Sequence, residues 1–216
     1  MMFLIRWFTV SCLLLFCVAC TSEKAERGAV DESTEGDLHS PHIGQVMTLS
    51  DRIERMCDEI YMKNNEYVEL YYETVDSPTL VLVSDFDGVN KSRLKSTYNM
   101  IRYPNGSPMN IVEIPFVPRG GLYDNVYSSF YDESGNLVKF VRSSGFLLNG
   151  KEPYSETSEY LYDDTHKLIR KIYRVQYDLD SSKKVDPQEV VTSPGRIDYD
   201  IYTSLGDFFR AHPIDN

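Results

Sequence analysis

A chain of 216 residues with 22 basic and 33 acidic side chains carries a formal charge of −11. At about 100–200 residues per domain this is one folded unit with accessory segments, and its 42% apolar content is enough for a core. The acidic balance excludes nucleic acid as an expected partner, since phosphate binding relies on clustered Lys and Arg. Sixteen tyrosines against one tryptophan are the compositional outlier.

The first segment, MMFLIRWFTVSCLLLFCVAC, has Arg6 near its start and no charge from Trp7 to Ala19. That run is short for a spanning helix, which needs about 20 apolar residues, and fits a secretory signal peptide. Small residues Val18 and Ala19 precede Cys20, and Thr21-Ser22-Glu23-Lys24 turns polar at once. The boundary resembles a bacterial lipobox, with Cys17 where Leu usually stands. The resemblance implies that residues 1–19 are removed and that Cys20 is diacylated as the new N-terminus. Two ester-linked chains and one amide-linked chain anchor stably where a single chain is marginal. Only Arg6 is charged within 1–19, so cleavage leaves 21 basic and 33 acidic residues, net −12. It also removes Trp7, Cys12 and Cys17. Cys57 is then the one thiol outside the lipid site, which excludes an intrachain disulfide or a cysteine zinc site.

Residues 20–46 are rich in Glu, Asp, Ser, Thr and Gly and carry no aromatic residue. Such a segment buries too little surface to offset its ordering entropy, so a lipidated flexible tether is expected there. His39 and His42 lie in it with nothing nearby to complete a metal-ligand set. The folded domain is then expected over 47–216. Thr48-Leu49-Ser50-Asp51 fits a capping box. Leu49, Ile53, Met56, Cys57 and Ile60 follow at helical spacing, predicting one amphipathic helix of three to four turns with Cys57 in its apolar stripe.

From Glu66 the pattern becomes that of strands. Val68, Leu70 and Tyr72 are followed by a break at Asp76-Ser77-Pro78 and the run Thr79–Val83. Three stretches then share one design, a strand ending in Tyr103, Tyr131 or Tyr162, a five-residue polar turn, and a second strand opening on Met109, Leu137 or Leu168. This is a degenerate repeat of β-hairpins. A last strand is expected over Arg196–Thr203, with Phe208 and Phe209 in a short terminal helix over the sheet edge. The expected fold is mainly β, an antiparallel hairpin meander with one N-terminal amphipathic helix packed on it.

Tyr131-Asp132 with Gly135 and Leu137, and Tyr162-Asp163 with Leu168, resemble the Tyr-Asp-x-x-Gly-x-Leu hairpins of YD-repeat proteins. Asn149-Gly150-Lys151 is similar to the MORN-like repeats of small bacterial lipoproteins. Together with the lipobox, the chain resembles Bacteroidetes-type lipoproteins. The resemblance spans about residues 95–177 and implies a scaffold, without catalytic residues.

Val81-Leu-Val-Ser-Asp85-Phe-Asp87-Gly88-Val89 resembles the first motif of haloacid-dehalogenase-type phosphatases. The resemblance implies Asp85 as nucleophile and magnesium ligand and Asp87 as acid and base. That family needs a parallel α/β sheet, which the hairpin pattern after residue 95 does not offer; turn geometry is the competing reading of the two acids. Asp85, Asp87 and Asn90 also stand at the alternate positions of a calcium loop, but Leu94, Lys95 and Ser96 occupy the place of its bidentate acid. His166 and His212 have no legible Ser or Cys partner, and Arg119-Gly120-Gly121 is too short for a phosphate cradle. No catalytic residue, metal or cofactor is therefore expected. The tyrosines remain. On strands they serve as half-buried sheet residues or as a binding face of rigid aromatics, Tyr127, Tyr131, Tyr160 and Tyr162, for a glycan or peptide. The expected role is that of a non-enzymatic envelope lipoprotein that binds or scaffolds a glycan or another envelope protein.

Overall fold

The computed structural model describes residues 30–32, 41–63, 67–116, 123–146, 154–177 and 199–215; Cys20 lies outside them. Eight antiparallel strands form the sheet: β2 (Val68–Thr74), β3 (Ser77–Val83), β4 (Leu94–Arg102), β5 (Pro108–Pro115), β6 (Tyr123–Tyr131), β7 (Leu137–Phe146), β8 (Tyr154–Tyr162) and β9 (Leu168–Tyr177). A three-residue strand β1 (Val30–Glu32) adds a ninth at one edge, pairing antiparallel with β9. The order β1-β9-β8-β7-β6-β5-β4-β2-β3 is a meander from β4 to β9. At the other end β4 returns beside β2, which leaves β3 at the edge. The mainly β hairpin sheet expected from the periodicity is the fold observed.

The three repeated hairpins share one turn. Tyr103, Asp132 and Asp163 donate their amides to Ser107, Asn136 and Lys167 carbonyls at 2.9–3.0 Å. Gly106, Gly135 and His166 close each turn with φ of 87°, 85° and 63°, and the register slips by one at Ile101/Arg102, Phe130/Tyr131 and Leu161/Tyr162. This is a three-residue loop with a left-handed residue and a bulge. It aligns Tyr103 with Asp132 and Asp163, one residue off the alignment suggested by the three tyrosines. Asp132 and Asp163 hold their turns through Oδ1, which accepts from Ser134 and Asn136 amides in one and from Thr165 and Lys167 amides in the other.

Helix α1 (Pro41–Lys63) is longer than its sequence signal. It starts inside the segment expected to be tether, on a proline whose fixed φ and missing N–H suit the first helical position. Thr48 caps nothing; its hydroxyl donates to the Gly44 carbonyl at 2.8 Å within the helix, an alternative open to any mid-helix Thr. Ile43, Val46, Ser50, Ile53 and Cys57 are buried, a stripe at alternating spacings of three and four that extends the expected apolar face by two turns. It packs on Ile101, Tyr103, Met109, Val138 and Leu161. Burial pushes the Cys57 thiol up, with Asp58 and Glu54 adding to the effect. That suits an inert core residue.

The opposite face is covered by residues 199–215. Tyr199–Thr203 do not form the expected strand, and 196–198 lie outside the described residues. Instead Leu137 donates to the Thr203 carbonyl and Leu205 to that of Gly135, each at 2.9 Å. Helix α2 (Leu205–Ala211) follows, with Ser204 accepting from the Asp207 amide. The end of the strap then meets edge strand β3: Leu80 donates to Pro213 at 2.7 Å and accepts from Asp215 at 3.0 Å. Together with Pro78, which has no N–H, this covers part of an otherwise open edge. Phe208 enters the core among Tyr71, Tyr98, Met100, Tyr127, Tyr131 and Phe140.

Candidate functional site

Strand alternation and register bring six side chains onto neighbouring rungs of the strap face. Tyr71 pairs with Tyr98, Glu73 with Ser96, Tyr98 with Glu113 and Glu113 with Tyr127. Two carboxylates therefore stand among the tyrosines at inward positions. Glu73 is 1% exposed. It accepts from Lys95 Nζ and from the Tyr98 hydroxyl, both at 2.6 Å. His212 Nδ1 from the strap lies 3.3 Å from Glu73 Oε2, a close polar contact and not a straight hydrogen bond. On its other side His212 Nε2 is 3.3 Å from the Tyr202 hydroxyl. Burial pushes the Glu73 carboxyl up, but the adjacent His212 ring and the bonds from Lys95 and Tyr98 outweigh burial and bring it to about 2.

Glu113 behaves in the opposite way. Its Oε1 accepts from Ser96 at 2.6 Å, while Oε2 is buried without a hydrogen-bond partner among the described residues. Burial raises this carboxyl; the Ser96 and Tyr199 hydroxyls and His212 oppose the rise, and the Glu73 charge adds to it. Two nearby carboxylates thus have environments that separate them, one charged and one favoured neutral.

Carboxylate, imidazole and hydroxyl in line resemble a catalytic relay, but the terminal group is a phenol. Burial, with Asp200, Glu113 and Glu73, raises the Tyr202 hydroxyl and weakens it as a nucleophile. Two clefts among the described residues lie elsewhere, at the N-terminal half of α1. One, of about 180 Å³, is lined by His42, Asp132, Asn136, Tyr162, Asp163 and Asp164 among others. His42 Nε2 is 3.9 Å from Asp163 Oδ2. Asp132 and Asp163 are already committed to their turns. Burial pushes Asp163 up, but bonds from the Thr165 hydroxyl and the Lys167 and Thr165 amides hold it below the usual carboxylate value. No metal-holding group of three His, Cys, Asp or Glu occurs among the described residues.

The tyrosines expected to make a binding face are interior. Tyr127 is 1%, Tyr131 0% and Tyr162 8% exposed, and Tyr160 is partly buried on the same core. Tyr199 of the strap stacks on Tyr127 at 4.2 Å and on Phe140 at 5.3 Å. They are not an open row, because the strap lies over them. Asp85 and Asp87 sit in an exposed turn where Asp85 Oδ1 accepts the Asp87 amide at 2.9 Å. The strand before them is the antiparallel edge strand β3, so the parallel frame of the phosphatase motif is not there. His166 is exposed in its turn. The Glu73, Glu113 and His212 cluster was not legible in the sequence: Ile111-Val112-Glu113 places a carboxylate in the inward phase, but only the register shows what faces it.

Comparison of the chain with protein-family models, with curated proteins and with solved structures finds no match.

Proposed function

We propose that the protein is a lipid-anchored cell-envelope lipoprotein, held to the membrane through Cys20, that serves as a non-enzymatic binding or scaffolding module. The observation that carries this reading is the Val18-Ala19-Cys20 boundary, with an uncharged run before it and a polar, acidic segment after it. The anchored domain is well suited to such a role, since each sheet face is covered by its own chain. Its outward surfaces are the polar side of α1, including Asp51, Arg52, Arg55 and Glu59, and the hairpin ends. Capture of a glycan or peptide on the tyrosine face is the weaker reading, because Tyr127, Tyr131 and Tyr162 are covered. In a bacterial host, Cys20→Ala should abolish metabolic fatty-acid labelling and release the protein from the membrane fraction. Label retained by the variant would overturn the assignment.

A further inference from the structure

We propose that docking of the C-terminal strap, residues 199–215, is pH-gated: tight in mildly acidic solution and looser as pH rises, because it closes over two buried carboxylates, Glu73 held by polar partners and Glu113 with one oxygen lacking a hydrogen bond. This inference is independent of the lipid anchor. It rests on geometry: Glu73 and Glu113 lie inward on the strap face, and the strap covers both. The groups facing them are Lys95, Ser96 and Tyr98 from β4, Tyr127 from β6, and Tyr199, Tyr202 and His212 from the strap.

Glu73 has three partners, two of them cationic or able to become so, and docks best as a carboxylate. Glu113 has one well-made bond, from Ser96, and an Oε2 without one. The Tyr199 hydroxyl and His212 favour its charged form, but burial and the Glu73 charge outweigh them and favour the carboxylic acid on docking. Opening the strap exposes both to water, where each returns toward an ordinary value of 4.5. For Glu73, whose docked value is lower, stabilisation is present above 4.5 and is lost as pH falls toward about 2. For Glu113, whose docked value is higher, stabilisation is full below 4.5 and is lost as pH rises through the docked value. The two opposing slopes put the tightest docking near 4.5.

Few backbone bonds hold the strap to the sheet, and they provide local reporters. Opening frees the amides of Leu80, Leu137, Leu205 and Asp215 together, a sub-global event separable from unfolding of the central strands. What it uncovers is the aromatic face of Tyr98, Tyr127, Tyr131 and Phe140.

The test is amide hydrogen exchange on the full chain from pH 5 to 8, corrected for intrinsic rates, comparing these four amides with central-strand amides. Carboxyl ¹³C NMR follows Glu113 in the same samples. The strap amides should lose up to about tenfold protection per pH unit until Glu113 is ionised, which is the limit for one linked proton. The central strands should change less. In the near-isosteric Glu113→Gln, which keeps an acceptor for Ser96, the loss should disappear. Protection constant within twofold in the natural chain, the same slope in E113Q, or a Glu113 carboxyl titrating at or below 4.5 would each overturn the proposal.

Discussion

The two faces of the sheet are closed by different means. On one, α1 lays a helical stripe, Val46, Ile53 and Cys57, against Ile101, Met109, Val138, Leu161 and Tyr103. Its main buried charge is at the margin, where Lys139 bridges Glu54 of α1 and Glu159 of β8. On the other, a short strap wedges Tyr199, Tyr202, Phe208 and His212 among aromatic rings and two buried carboxylates. A helix satisfies its own backbone and needs only an apolar stripe. A strap must borrow hydrogen bonds from strand ends and edges, here at Leu80, Gly135 and Leu137. The helix face is therefore held chiefly by area, and the strap face by fewer and more specific contacts.

The strongest challenge to this contrast is truncation of each face's central residue. Phe208→Ala should cost about 3–5 kcal/mol and Ile53→Ala about 2–5 kcal/mol in urea unfolding. Hydrogen exchange should show Phe208→Ala loosening the strap amides first. A loss under 1 kcal/mol for Phe208→Ala would mean that the strap is not part of the core.

Next in size is Glu73→Gln, which removes the charge partner of His212 and Lys95. Because Lys95 is 52% exposed and its charge screened, the cost is about 1–3 kcal/mol at neutral pH, chiefly from the buried acceptor lost to Tyr98. The deficit should shrink as pH falls from 4.5 toward about 2, where the natural carboxylate is itself protonated. Equal destabilisation across that range would show that the charge is immaterial. Glu113→Gln should have the opposite sign near neutrality and raise the melting temperature.

The smallest effects separate the hairpin turns. His166 holds φ of 63° where its equivalents are glycines, so His166→Gly should be neutral or stabilise by up to about 1 kcal/mol. Gly135→Ala should destabilise. Besides its φ of 85°, an added Cβ would meet Leu205 Cδ1 of the strap at 3.2 Å. If both substitutions acted alike, the tie between that turn and the strap would be in doubt.

The sequence revealed what is local. Turn residues and strand alternation announced the hairpins, and the spacing of Ile53, Cys57 and Ile60 announced α1. Its true start was hidden because Ile43 and Val46 are only two apolar residues in a polar stretch, while Thr48–Asp51 mimics a cap. The strap was misread for a physical reason as well: alternation in Ile197–Tyr202 is the signature of a strand, yet Tyr199, Ile201 and Tyr202 all pack toward one core. Tyrosine on a strand looks half-exposed by composition. Whether it is covered depends on a segment more than sixty residues away, as with Tyr131 donating to the Tyr202 carbonyl at 3.2 Å. Long-range registers of this kind also carried Glu73, Glu113 and His212, which is why the candidate site stayed unread.

Among the described residues, the tyrosine excess is chiefly core and strap, not a displayed surface. Tyrosine nitration of the native protein, mapped by mass spectrometry, tests it most directly. At mildly acidic pH, with the strap docked, Tyr67, 60% exposed, should react readily, while Tyr98, Tyr127 and Tyr131 should stay unmodified until denaturant is added. Ready nitration of Tyr127 and Tyr131 in the native state would contradict it.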